Sequence, residues 1–150
     1  MEKRYILDFE FVPEECWYSN LRSVLSQADW DTVRKDAYRR AKGKCMICGA
    51  RERLEGHEKW EYDDEKREQK LADVVALCAK CHMVKHISRS YLVGKGEEAM
   101  EQFMRVNGCS QMEYHQALQE ANAEYARRNK VEGWVTDISW LKDKFNIILR

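Results

Sequence analysis

The chain has 150 residues with 26 basic and 26 acidic side chains, so its formal net charge is zero. A neutral total exerts no global pull on a polyanion and leaves any nucleic-acid contact to local charge. Apolar residues at 44% suffice for a packed core, and one proline with no Gly/Ser tract leaves no linker, so a single domain over 1–150 is expected.

The opening stretch MEKRYILDFEF carries acids early and no apolar run of signal type. The longest apolar run, around Val74–Cys78, is far too short to span a bilayer. The expectation is a soluble cytoplasmic protein with no membrane partner, in which disulfides are disfavoured.

Residues 4–12 alternate weakly through Tyr5, Leu7, Phe9 and Phe11, as a strand or an extended arm would. Trp17, Leu21, Val24 and Leu25 stand at helical spacing. A second helix is predicted from about Trp30 to Lys42, capped by Asp29 or Asp31 and ended by Gly43, with Trp30, Val33, Ala37 and Ala41 as its buried stripe. Residues 54–77 read as a hairpin with its turn in the charged segment Asp63–Lys70. A helix beginning near Cys78 or Ala79 should carry His82 and His86. Past Gly94 and Gly96, a helix over about 97–106 buries Met100, Phe103 and Met104. Ser110-Gln111-Met112-Glu113 is a capping box that opens a long helix with the stripe Tyr114, Ala117, Leu118, Ala121 and Tyr125. The tail, with Trp134, Val135, Ile138, Trp140, Leu141 and Phe145, is apolar enough to dock back on the body. The fold class is therefore α+β, with a core at about 43–90, helical extensions at 14–42 and 97–130, and a tail at 131–150.

Cys45-Met46-Ile47-Cys48 and Cys78-Ala79-Lys80-Cys81 form two CxxC pairs about thirty residues apart. Two intervening residues let one tight turn supply two thiolates, and zinc takes four ligands in a tetrahedron. A structural zinc on Cys45, Cys48, Cys78 and Cys81 is expected. Cys16 and Cys109 stand alone and are expected as buried, reduced thiols. Three of the four histidines lie at 57, 82 and 86. His82 and His86 are one helical turn apart on the same face, and the cysteine pairs tie the strand of His57 to that helix. All three imidazoles can converge on a second metal ion. His115, on the long C-terminal helix, is expected at the surface or in packing.

The segments C-M-I-C-G at 45–49, L-E-G-H-E at 54–58 and D-V-V-A-L-C-A-K-C-H-M-V-K-H at 73–86 resemble the HNH endonucleases, which carry the ββα-metal fold. The run His57-Glu58-Lys59-Trp60-Glu61-Tyr62-Asp63-Asp64 looks like a bacterial and phage subgroup that reads H-E-x-W-x-Y-D-D. The resemblance implies a zinc-stapled ββα core flanked by N- and C-terminal helices. It also implies DNA phosphodiester hydrolysis with one divalent ion, such as Mg, Mn, Ni or Zn, in a bacterial or host cytoplasm. In one register His57 joins His82 and His86 as a metal ligand, and Glu58 falls where the base should be. In the other His57 is the base, and Gly56 occupies a ligand position to which it offers nothing. Catalysis would then turn on Glu58, His57 and His82. Asp73 stands at the place of the family's central Asn and is read as structural, since a carboxylate accepts but does not donate.

The electrostatic requirement for a DNA backbone is local positive charge beside the metal. Lys80, Lys85 and Arg89 lie on or just past the His helix, and Arg39, Arg40 and Lys44 approach from the preceding helix. The expected function is a metal-dependent DNA endonuclease. The competing expectation is a catalytically impaired module that binds DNA or a protein partner, in phage an inhibitor of a host system.

Overall fold

The computed structural model describes residues 5–17 and 20–148. The first residue of the predicted arm, residues 18 and 19, and the last two residues of the tail lie outside the described residues. The fold is α+β. Helices α1 (Leu21–Val24) and α2 (Gln27–Ala41) precede strands β1 (Leu54–Asp63) and β2 (Glu68–Cys78). Helices α3 (Ala79–Lys85), α4 (Ile87–Leu92), α5 (Gly96–Asn107) and α6 (Gln111–Asn129) follow, then strand β3 (Val135–Asp137) and helix α7 (Ser139–Phe145).

The hairpin is the central layer. β1 pairs antiparallel with β2, and His57 stands opposite Val75 while Glu58 stands opposite Val74. Successive strand residues point to opposite faces. Val75 and Leu77 therefore join a core with Leu7, Val84, Phe103 and Tyr114, while Val74 and Ala76, with Leu71 beyond the bulge, join a second core with Leu21, Trp30, Val33 and Leu141. The register shifts between Lys59 and Trp60, which leaves Ala72 without a partner on β1. β3 adds to the outer edge of β2 in parallel, so the tail docks on the body through strand pairing as well as through Leu141.

Several boundaries differ from the sequence reading. Helix α2 starts earlier, because the Ser26 hydroxyl accepts from the Asp29 amide and caps it. Neither Asp29 nor Asp31 is the cap, and Asp31 instead binds Gln27 and Arg34. The stretch around Trp17 does not form a continuous helix: a 3-10 turn at Glu14–Cys16 is followed only by the four residues of α1, and Trp17 is 51% exposed. The helix expected to carry both His82 and His86 is broken at His86, where φ is −107° and ψ is 54°. The Ser90 hydroxyl takes the Met83 carbonyl at 2.7 Å, the acceptor that Ile87 would use in an unbroken helix. The capping box is present, with Ser110 and Glu113 bonded reciprocally.

Residues 5–12 run as an extended arm rather than a strand. Leu7 is fully buried, and the Phe9 ring stacks on Phe103 at 5.0 Å between centroids and meets Tyr114 edge-on at 5.7 Å. Asn107 at the end of α5 clamps the arm: the Leu7 amide donates to its Oδ1 at 3.1 Å, and its Nδ2 donates to the Leu7 carbonyl at 2.8 Å. Removing a side chain that satisfies two partly buried backbone groups costs about 1–3 kcal/mol. Asn107→Ala is expected to lower the melting temperature by about 2–12 °C. An unchanged melting temperature would show that the arm is held without the clamp.

Candidate metal centres

The first centre lies at the mouth of the hairpin. The Sγ atoms of Cys45, Cys48, Cys78 and Cys81 all fall within 4.8 Å of one another, and that between Cys48 and Cys78 is 3.6 Å. Cys45 and Cys48 sit on a turn before β1, closed by the Gly49 amide on the Cys45 carbonyl at 2.9 Å. Its Met46 amide donates to the Ala76 carbonyl of β2, so the turn is tied to the strand that ends in Cys78. The Cys81 thiol and the backbone amides of Cys48, Cys78 and Ile47 favour the Cys45 thiolate and bring its pKa down to about 4. The hydrogen bond to Cys45 and burial raise Cys81 in turn. The buried Gln102 of α5 donates to the Cys81 sulfur at 3.3 Å. Four soft donors on two CxxC turns, with an N–H donor behind one of them, are a donor set that can bind zinc. None of the cysteines is in a disulfide, Cys16 is buried, and Cys109 is half-buried.

The second cluster lies at the same hairpin–helix junction, where His82 directly follows Cys81. Nitrogen atoms of His57, His82 and His86 lie within 4.8 Å of one another, and the three ring centroids are 4.7–5.3 Å apart. His57 points from the middle of β1, His82 follows Cys81 in α3, and His86 sits at the joint of α3 and α4. The Nε2 atoms of His82 and His86 face each other at 3.1 Å. Two nitrogens on one tetrahedral ion, each about 2.0–2.1 Å from it, stand about 3.3 Å apart. Burial, and the neighbouring imidazoles after it, push His86 down to about 4, and burial lowers His82 as well. Both rings are thus neutral at physiological pH, the state a metal ligand needs.

Two carboxylates stand behind these rings, and both escaped the sequence reading. Glu55 bonds His82 Nδ1 at 2.7 Å, and Glu10 of the arm bonds His57 Nε2. Burial works against the Glu10 charge, yet the bond to His57 and the nearby Lys85 ammonium hold its carboxyl below the ordinary value. Glu55 was legible in principle, because it lies two strand positions before His57 on the same face. Glu10 is 47 residues away in sequence, and no local spacing connects the two.

Glu58 does not join the cluster. Strand alternation sends it to the opposite face of β1, where it accepts from the Leu21 amide at the start of α1 at 2.7 Å, and burial raises its pKa. There it packs under α1, on the face of β1 turned away from the imidazoles. Gly56 shares that face: a Cβ there would stand 3.1 Å from Arg34 Cβ and 3.2 Å from the Trp30 ring. The position is kept small by the close approach of α2, and it lies away from the imidazoles.

The expected DNA-binding residues fall into two groups. Lys80, Arg89, Arg39 and Lys44 are exposed. Lys85 is not available, since it is buried and paired with Asp8 and, at 3.6 Å, with Glu10. Arg40 is engaged by Asp36, Asp73 and the Val74 carbonyl. Asp73 also accepts from the Val74 amide at 2.8 Å, so the pair braces the irregular stretch of β2 beside Ala72. Arg22 of α1, missed in the sequence, is close enough for its charge to act on His82.

The cluster is closed at His57, which is 4% exposed, and open at His86. On the closed side a cavity of about 550 Å³ separates the arm, the hairpin and α6. Its ionic lining is balanced, Lys59, Lys85 and Arg128 against Asp8, Glu10 and Glu124, so it has no bias toward an anion. Among the described residues no helix is long and apolar enough to cross a membrane.

Comparisons with protein-family models, with curated proteins and with solved structures gave no match.

The cysteine cluster makes a direct prediction. Elemental analysis of the purified chain should give about one tightly held zinc, lost together with folded circular dichroism in Cys81→Ser, since structural zinc contributes about 10–16 kcal/mol in small domains. Zinc-free protein that stays folded would refute a structural role for the cluster.

Proposed function

We propose that this chain is an HNH-type DNA endonuclease that hydrolyses phosphodiester bonds with one divalent ion at His57, His82 and His86. The observation that carries the proposal is the convergence of three imidazoles at the junction of a hairpin and a helix that four cysteines hold together. Imidazole ligands suit Zn or Ni better than Mg or Mn. A divalent ion bound there supplies Lewis acidity at the phosphate and lowers the pKa of a water molecule.

The protein's own residues then have separate tasks. Glu55 holds the proton of His82 on Nδ1 and turns Nε2 toward His86. His86, on the open side, sets where an anion can approach. Arg89 and Lys80 are the exposed cations nearest to that side in the chain, and they supply phosphate contacts that fix position without reading sequence. Glu58 has no part in proton transfer.

A second reading is favoured by a specific observation. Glu58 faces away, Lys85 is engaged by Asp8, and His57 is buried, so a module of this shape can bind DNA or a protein partner without cutting. Supercoiled plasmid distinguishes the two. The wild type should relax or linearise it in Mn²⁺ or Ni²⁺, His82→Ala and His86→Ala should reduce this to background, and Glu58→Gln should still cut. Intact plasmid in every metal would overturn the nuclease reading in favour of the binding module. Loss of cutting in a folded Glu58→Gln would return Glu58 to the catalytic site.

A further inference from the structure

We infer that Glu10 is a positioning residue of the imidazole centre, acting through His57; the inference rests on the metal-centre reading above. The arm that carries Glu10 alternates apolar and acidic residues. Leu7, Phe9 and Phe11 face the core formed with α5 and α6, and Asp8 and Glu10 face the other way. The apolar side fixes the acidic side. Leu7 is fully buried and clamped by Asn107, Phe9 is stacked on Phe103, Phe11 lies 5.5 Å from Tyr125, and the Glu10 amide donates to the Lys85 carbonyl at 3.2 Å. A carboxylate delivered on such a segment has a set place.

That place is Nε2 of His57. A carboxylate accepts only, so the bond requires the proton of His57 to sit on Nε2. The lone pair is then on Nδ1. His82 is arranged in the same manner with the nitrogens exchanged: Glu55 binds Nδ1, and Nε2 is left for the cluster. Each of these two rings has one nitrogen on a carboxylate and one for a metal. Such partners raise the basicity of a ligand and fix its orientation. The two neighbouring carboxylates separate by task. Asp8 pairs with Lys85 and has no bond to an imidazole, whereas Glu10 reaches His57 and touches Lys85 only at 3.6 Å.

Protein with zinc on its cysteines is titrated calorimetrically with Ni²⁺, and the tautomer of His57 is read from long-range ¹H–¹⁵N spectra before Ni²⁺ is added. The wild type should bind one Ni²⁺ per chain and show His57 protonated on Nε2. Glu10→Ala should lose that preference and bind Ni²⁺ about 10–100-fold more weakly. Glu10→Gln, whose amide oxygen still accepts from Nε2–H, should keep the tautomer and recover part of the affinity. Asp8→Ala should match the wild type in both measurements, which separates the effect from general loosening of the arm. Glu10→Ala that binds Ni²⁺ as tightly as the wild type, or a wild-type His57 protonated on Nδ1, would overturn the role of Glu10 while leaving the metal centre standing. A wild type that takes up no Ni²⁺ would overturn the metal centre itself, and the role of Glu10 with it.

Discussion

Four sulfur atoms within 4.8 Å of one another tie the end of β2 to the start of α3, and the imidazole cluster is built on that junction. Cys78 is the last residue of β2, and Cys81 lies in the first turn of α3, so the strand and the helix cannot separate while a metal holds both. His82 is the next residue after Cys81. His57 lies on the strand paired with β2, three rungs from the Leu54–Cys78 pair. A short helix of seven residues has little stability of its own in water. Its position against the hairpin comes from the cysteines, from Gln102 behind Cys81, and from Val84 and Ile87 in the core.

The hairpin divides the chemistry from the packing. One face of β1 presents Glu55 and His57 toward α3, and the other presents Gly56 and Glu58 toward α1 and α2. Adjacent residues in one motif thus act in different places. Glu58 closes the start of α1, and Gly56 lets Trp30 and Arg34 approach the strand. The arm covers His57 from the far side, and so the cluster is enclosed at one end and open at His86.

Much of this was legible in the sequence for physical reasons. The two CxxC turns, the hairpin period, the i, i+4 pair of histidines and the capping box at Ser110 all depend on local spacing, and spacing survives without coordinates. The place of Glu58 away from the imidazoles was hidden because a motif match ignores that a strand turns successive side chains to opposite faces. Lys85 failed as a DNA contact because its partner, Asp8, is 77 residues away. Glu10 was hidden for the same reason, since only packing of Leu7 and Phe9 against α5 and α6 brings the arm to His57. At the break at His86 the Ser90 hydroxyl takes a carbonyl seven residues back, a contact that no helical period announces. Interactions across long separations carry no periodic signal.

We propose two metal centres of different chemistry at one hairpin–helix junction, four cysteines in one and three imidazoles in the other. X-ray absorption at two edges, on protein carrying zinc and one equivalent of Ni²⁺, tests it most directly. The zinc edge should show sulfur alone at about 2.3 Å. The nickel edge should show nitrogen or oxygen neighbours with the outer-shell scattering of at least two imidazoles. Nickel with sulfur neighbours, or with no imidazole scattering, would contradict the account.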